Sequence, residues 1–269
     1  MRIPFIKMHG LGNDFVVLDA RKTSLPVMTQ AAARRLADRR QGIGCDQLVL
    51  LEPSDTHAFR MRIFNSDGSE VGACGNASRA VALLHGERVT IETGGGAITL
   101  EPMTGGARVD MGLPRFDWEA IPLAYAMDAA AMPVGWEDLQ SPMAINIGNP
   151  HAVFFVPDAD AVELERLGPL IEHDPIFPER VNVNVASLVG SDHLRLRVWE
   201  RGAGLTRACG TGACATAVAA IVKGLVHSPV TVSLPGGDLV IEWQKGGPIL
   251  MSGPATEAFR GAFEWDDYA

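Results

Sequence analysis

Two stretches of the chain are apolar almost all the way round a helix, and each follows a Cys-Gly pair. Ala77, Ala80, Val81, Ala82, Leu83 and Leu84 make the first, and residues 213–222 make the second. A helix with no polar face has no side for water, so each is predicted to run through the middle of its own domain, enclosed by strands. Gly86 and Gly224 follow, where helices commonly stop. An alternating strand pattern and a polar turn precede each helix, and the two stretches share one plan. Residues 60–86 read RMRIFNSDGSEVGACGNASRAVALLHG, and residues 195–224 read RLRVWERGAGLTRACGTGACATAVAAIVKG. Aligning Cys74 with Cys209 puts Arg60 on Arg195, Arg62 on Arg197, Ile63 on Val198 and Phe64 on Trp199 without a gap.

The plan continues on both sides, which marks an internal duplication. Downstream, VTIETGGGAITLE (89–101) matches VTVSLPGGDLVIE (230–242), in each case two alternating strands around a glycine turn. Upstream, Gly12-Asn13 precedes the apolar run 15–18 as Gly148-Asn149 precedes the run 152–156. The rest of the first half reads as a strand, a polar turn at residues 9–14, a strand to residue 19, and a helix capped by Thr29 and running to about residue 40. A strand over 48–52 follows. The counterparts are a helix over 161–171 and a strand over 180–188, with Asn182 falling near Asp46 and Gln47. Residues 113–143 carry Pro114, Pro122, Pro133 and Pro142 and no clear period, so they read as the inter-domain connection, with a short strand at 121–125. The domains are therefore placed at 1–115 and 116–256. A strand at 258–263 can join either domain, and residues 257–269 are a candidate completion of the first.

Composition narrows the function classes. The 269-residue chain is 47% hydrophobic and 20% charged, with a formal net charge of −9. That balance suits a globular protein with ample core and argues against a nucleic-acid surface, which needs clustered Lys and Arg. Arg34-Arg35 and Arg39-Arg40 read as a solvated helix face. No stretch is apolar for the roughly 18 to 20 residues of a membrane span, and residues 1–20 lack the core of a signal peptide. A cytoplasmic location with reduced thiols is expected. Among Cys45, Cys74, Cys209 and Cys214 there is no C-x-x-C, and no His stands at zinc-ligand spacing, so neither a metal nor a disulfide framework is expected. Cys45 and Cys214 read as small buried hydrophobes.

Cys74 and Cys209 differ from those two because both occupy the same place in the repeat. The first turn of a helix carries amide N–H groups without intrahelical partners and a partial positive charge. Gly75-Asn76 and Gly210-Thr211 put glycine there, where backbone can meet a carboxylate closely. Were both helix starts to face one inter-domain cleft, a single carboxylate could be held with a thiol on either side of its α-carbon. One sulfur, as thiolate, would take the α-proton, and the other, as thiol, would deliver one to the opposite face, inverting the stereocentre. A free cysteine titrates near about 8.5 and a helix start lowers that, so the reaction needs no cofactor. Neither side chain is required to fill core.

The motifs KMHGLGNDF (7–15), NSDGSEVGACGN (65–76), GNPH (148–151), FPERVN (177–182) and ERGAGLTRACGTGACA (200–215) together resemble the diaminopimelate epimerase family across nearly the whole chain. Proline racemases would not be expected to share GLGNDF, and phenazine-pathway relatives lack the cysteine pair. The resemblance implies an α/β (α+β) fold of two pseudo-symmetric domains, each a curled mixed sheet around a central buried helix. It implies a cofactor-independent isomerase of 2,6-diaminopimelate, without pyridoxal phosphate, metal or nucleotide, acting as a homodimer in lysine and cell-wall precursor synthesis. Its two bases fall on Cys74 and Cys209, and its contacts to the reacting carboxylate on Gly75, Asn76, Gly210 and Thr211. Further substrate contacts fall on Asn13, Gln47, Asn65, Asn149, Asn182, Glu200 and Arg201, while His151 and Glu200 tune the thiols. Arg201 is a fork-shaped partner for the distal carboxylate, and Glu200 with asparagine carbonyls can accept from the distal ammonium. The sequence departs from the commoner pattern at Cys45, Ala77 and Ser78. Two rival readings remain open at this point: a racemase of another small acid such as proline or hydroxyproline, and a thiol switch without turnover.

Overall fold

The computed structural model describes residues 1–72 and 74–268. The chain divides into two compact units, residues 1–109 with 253–269, and residues 110–252. In the first unit the elements run β1 (Arg2–Gly10), β2 (Asn13–Asp19), α1 (Gln30–Ala37), β3 (Gln47–Glu52), β4 (Arg60–Asn65), β5 (Glu70–Val71), α2 (Gly75–His85), β6 (Val89–Thr93), β7 (Gly96–Met103) and β8 (Gly106–Asp110). β1 and β2 form a hairpin, β3 lies parallel to β2 after the α1 crossover, and β4 returns antiparallel. The α2 crossover then sets β6 parallel to β4, and β7 and β8 continue as a meander.

The second unit repeats this plan. A short hairpin of β9 (Gly135–Trp136) and β10 (Leu139–Gln140) comes first, then β11 (Met143–Asn146), β12 (Pro150–Phe155), α3 (Leu164–Glu172), β13 (Asn182–Gly190), β14 (His193–Glu200), β15 (Gly204–Thr206), α4 (Gly210–Val222), β16 (Val230–Leu234), β17 (Gly237–Glu242) and β18 (Leu250–Pro254). The duplication extends to register. Phe15 pairs with Gln47 across β2 and β3, as His151 pairs with Asn182 across β12 and β13. Arg60 pairs with Glu92 across β4 and β6, as Arg195 pairs with Ser233 across β14 and β16. The last strand, β19 (Thr256–Glu264), returns to the first unit and pairs antiparallel with β1 from Arg2↔Glu264 to His9↔Thr256.

Each sheet curls around its apolar helix. Strands from opposite ends of the sheet order reach α4, β11 on one side and β17 on the other, and in the first unit β1 and β7 reach α2 in the same way. Residues 75–82 of α2 and nearly all of α4 are buried, as their all-round apolar pattern requires. Gly86 ends α2 in the left-handed region, where a side chain would be strained. The amphipathic helices lie on the outer faces of the sheets: α1 packs on β3 and β4 and buries Ala32, Ala33, Leu36 and Ala37, and α3 packs on β13 and β14.

Local chemistry sets the boundaries. Thr29 caps α1 by accepting the Ala32 N–H at 3.1 Å, as its position predicts. The helix stops at Ala37 rather than near residue 40, because the Asp38 carboxylate takes the N–H groups of Arg40 and Gln41. Arg39 therefore lies beyond the helix, where it pairs with Asp14 and Asp46 instead of lining a solvated face. The strand expected at residues 121–125 is absent. Ile121 and Leu123 are held in turns and, with Ala129 and Met132, are buried in the second unit's core beside Phe154, Leu164 and Val183.

Gly168 of α3 shows how tightly that core closes. A Cβ there would lie 2.5 Å from Cγ and Cδ2 of Trp199, a rigid ring that cannot step aside. Gly168→Ala should destabilise the protein by about 1–3 kcal/mol through overpacking. Urea or thermal unfolding reads this, and an unchanged midpoint would show that Trp199 is free to shift.

Candidate active site

In the first unit the site residues cluster at the start of α2. Cys74 is its N-cap residue, half-buried, with extended backbone (φ −149°, ψ 113°). Ser78, one of the departures from the family pattern, donates both its N–H and its hydroxyl to the Cys74 carbonyl at 2.9 Å, so it fixes the cap from within the helix. Gly75 and Asn76 form the first turn, both buried. The Asn76 amide donates to Asn13 Oδ1 at 3.1 Å, and Asn13 donates to Asp46 Oδ2 at 3.0 Å. Gln47 Nε2 donates to Asn65 Oδ1 at 3.0 Å, and Asn65 donates to Ser69 Oγ at 3.2 Å. Among the described residues, Gln47 Oε1 is buried and accepts no hydrogen bond. The structure thus joins Asn13 to Asn76 and Gln47 to Asn65.

The Asn13 turn is braced by charge. Lys7 and Arg39 both pair with Asp14 at 2.5 Å, and Lys7 also donates to the Gly44 carbonyl. Burial works against the Asp14 carboxylate, but the hydrogen bonds from Arg39 and Lys7 outweigh it and hold the group well below the usual carboxylate range. Cys45 is a buried thiol that burial pushes up to about 11, in keeping with a small hydrophobe.

In the second unit Cys209 is the N-cap residue of α4, and its Sγ accepts the Gly212 N–H at 3.4 Å with Thr211 Oγ1 at 3.6 Å. It is only 3% exposed, contrary to the expectation that neither thiol fills core. Burial pushes this thiol well above its ordinary range, and the negative charge of Glu200 pushes it the same way. The hydrogen bonds from Thr211 and the Gly212 N–H pull back less. The sequence-based expectation that a helix start lowers both thiols is thereby reversed at Cys209, which keeps its proton. Glu200 itself accepts from Thr206 Oγ1 at 2.5 Å.

His151 is fully buried on β12, and burial lowers it to about 4, so the ring is neutral and donates only once. Asn184 Nδ2 must face the acceptor-only carbonyl of Gly212 at 3.1 Å, which leaves Asn184 Oδ1 for His151 Nδ1 at 3.3 Å. The proton therefore sits on Nδ1, and Nε2 offers a lone pair to the Asn149 amide at 2.9 Å, which must turn its NH2 group inward. The turn after β14 is anchored as firmly. Asn182 Oδ1 accepts the Arg201 N–H at 3.0 Å, and Arg201 Nη1 donates to the Glu179 carbonyl at 2.9 Å. Buried Glu172 accepts from Trp199 Nε1 at 2.7 Å and from the Gly202 N–H at 2.9 Å.

Sequence reasoning missed Asn184, Glu172 and Asp46, and Thr216 of α4, whose Oγ1 accepts from Asn184 Nδ2 at 3.2 Å. Asn184 had a signal, since the V-N-V-N alternation of residues 181–184 sets it on the same face of β13 as Asn182. Among the described residues no group of His, Cys, Asp and Glu could hold a metal ion, and no helix is long and apolar enough to cross a membrane.

These units have the fold of a set of solved proteins that share little sequence with the chain. A phenazine biosynthesis protein of the PhzF family from Bacillus anthracis matches with a TM-score of 0.69 at 16% identity, covering 98% of this chain and 99% of its own. A hydroxyproline epimerase from Agrobacterium vitis matches with a TM-score of 0.67 at 16% identity, covering 97% and 91%. The class is thus the pseudo-symmetric α/β fold shared by PhzF-type proteins and amino-acid racemases and epimerases. Within it, the sequence pattern of the family described as diaminopimelate epimerase matches residues 5–116 and 143–257. Proteins named diaminopimelate epimerase are similar along the whole chain: that of Erythrobacter litoralis is 68% identical with 100% of both chains covered, and that of Sphingopyxis alaskensis 64% with 98% of both covered. The Zymomonas mobilis protein is 54% identical, again with both chains fully covered. The chain belongs to the diaminopimelate epimerase family.

Two tests follow from the titrating groups. Glu200→Gln removes the charge that helps hold the proton on Cys209, so the thiol ionises at lower pH and the basic limb of the kcat/KM profile should move to lower pH. A limb that stays in place would separate Glu200 from the thiol. For His151, the folded value of about 4 lies below the ordinary value of about 6.5, so on acidification the unfolded chain takes the proton first. Its contribution to stability is whole above about pH 6.5 and falls away toward pH 4, by roughly 3 kcal/mol in all. His151→Phe, which copies Phe15 of the other repeat, should flatten stability against pH across that window in urea titrations. An unchanged slope would mean that His151 is not the titrating group.

Proposed function

We propose that the chain interconverts LL- and meso-2,6-diaminopimelate by proton transfer at one α-carbon, with Cys74 and Cys209 as the two bases. The observation that carries this reading is a pair of cysteines, each the N-cap residue of its unit's buried helix, each followed by glycine and a polar residue. The reaction requires the two sulfurs on opposite faces of the reacting carbon. The amide N–H groups at Gly75-Asn76 and Gly210-Thr211 hold the α-carboxylate and stabilise the negative charge that spreads onto it when the Cα–H bond breaks. Burial and Glu200 keep Cys209 protonated, so in that state Cys74 takes the α-proton and Cys209 delivers its own to the other face. The Cα–H bond breaks as Sγ–H forms on Cys74, and Sγ–H on Cys209 breaks as the inverted Cα–H bond forms. The protein is left with the roles reversed, ready for the back reaction or for exchange with water. Protons alone move.

The distal amino-acid group selects the substrate. The family resemblance puts the contacts to that group on Arg201 and Glu200, with further substrate contacts on Asn13, Gln47, Asn65, Asn149 and Asn182. A guanidinium suits a carboxylate bidentately, and carboxylate and amide oxygens accept from an ammonium. On this reading the protein is a cytoplasmic homodimer that supplies the meso isomer for lysine and cell-wall precursors.

Purified protein should epimerise LL-diaminopimelate and leave proline and hydroxyproline unchanged. Cys74→Ala and Cys209→Ala should each lower inversion by at least about a thousandfold, as expected when one member of a catalytic pair is removed. In heavy water, deuterium should enter the inverted carbon. Full activity in either variant, or product without deuterium, would refute the thiol pair.

A further inference from the structure

Arg79 is a large side chain with no exposure to solvent, in a helix whose next five residues, 80–84, are all apolar. Nothing in the fold requires a cation there, since the matching position in the other repeat is Cys214, also fully buried. Taking a guanidinium out of water is costly unless each N–H finds an acceptor. Arg79 Nε donates to the Pro254 carbonyl at 3.3 Å, and Nη2 donates to Asn76 Oδ1 at 2.9 Å. Gly10 makes room for it, because a Cβ there would stand 3.1 Å from Nη2.

The direction of these bonds matters more than their number. A guanidinium only donates, so it fixes which end of the Asn76 amide is oxygen. The Asn76 NH2 group then faces Asn13 Oδ1 at 3.1 Å, and the Asn13 NH2 group faces Asp46 Oδ2 at 3.0 Å. Asp46 is a carboxylate and only accepts, from Asn13, from the Asp14 N–H at 3.0 Å and from Arg39 at 2.7 Å. A donor-only group closes one end of the chain and an acceptor-only group the other. Each amide is thus held in one orientation of two that are nearly equal in shape.

We infer that Arg79 and Asp46 are positioning residues that set the polarity of the substrate-facing amides, so that Asn13 and Asn76 each present one N–H and one lone pair in fixed places. The inference rests on the reading of Asn13 and Asn76 as substrate contacts. Either anchor alone still dictates the direction of the chain. With both removed, the amides can reverse and present the wrong group to an ammonium or a carboxylate.

A double-mutant cycle tests this by steady-state kinetics with LL-diaminopimelate. Arg79→Met and Asp46→Asn should each raise KM by roughly two- to fivefold, and the double variant by about fiftyfold or more, beyond the product of the two, as coupled groups do. Arg79→Lys combined with Asp46→Asn should stay near the product of its own single effects, because the lysine tip also only donates. If Arg79→Met does not reach the wild-type circular dichroism spectrum, Gly10→Ala takes its place, displacing the guanidinium by a few tenths of an ångström. Effects that multiply independently within about twofold overturn the inference while leaving the thiol mechanism standing. A wild-type protein without epimerase activity overturns both.

Discussion

A helix buried on every side has to begin in a dry place, and its first N–H groups must still find acceptors. In α2 and α4 the first turn contains no acidic residue, and the cap in each case is a cysteine, a weak acceptor. That choice sets a thiol beside the positive dipole end of each helix. Everything else serves this arrangement. The curled sheets keep the helix dry, the amphipathic helices cover the outer faces, and the loops that carry polar side chains gather at the helix starts.

The repeats have diverged where chemistry demands and kept register where folding demands. Strand pairing is the same residue for residue at Phe15↔Gln47 and His151↔Asn182, yet one unit puts a phenyl ring where the other puts a neutral imidazole. One unit buries a guanidinium where the other buries a thiol. A charged carboxylate, Glu200, stands where the first unit has Asn65, and it biases one sulfur toward its protonated form. The backbone repeats, and the charges set on it do not.

Much of this was legible in the chain. The duplication, the all-apolar helices, the Thr29 cap, the Gly86 stop and the two equivalent cysteines each rest on a local rule of period or position. What escaped depended on tertiary burial. Residues 113–143 lack a period because Ile121, Leu123 and Met132 reach the core from turns, and a turn leaves no repeating signature. Arg79 has no signal in the sequence, because burial of a single charge in a helix is decided by what packs around it, and only the structure shows it enclosed. The raised Cys209 thiol escaped for a related reason: a helix start is visible in sequence, whereas the burial that overrides it is not.

β19 leaves one more mark on the molecule. It completes the first unit beside β1, although the whole of the second unit is encoded between them. During synthesis at about 5–20 residues per second, β1 leaves the ribosome some tens of seconds before its neighbour. The second unit, one uninterrupted segment, has its full complement of strands first, and the half that is made earlier is the half that closes later. Until then β1 presents an unpaired edge, so the nascent protein is at its most adhesive while its N-terminal half waits.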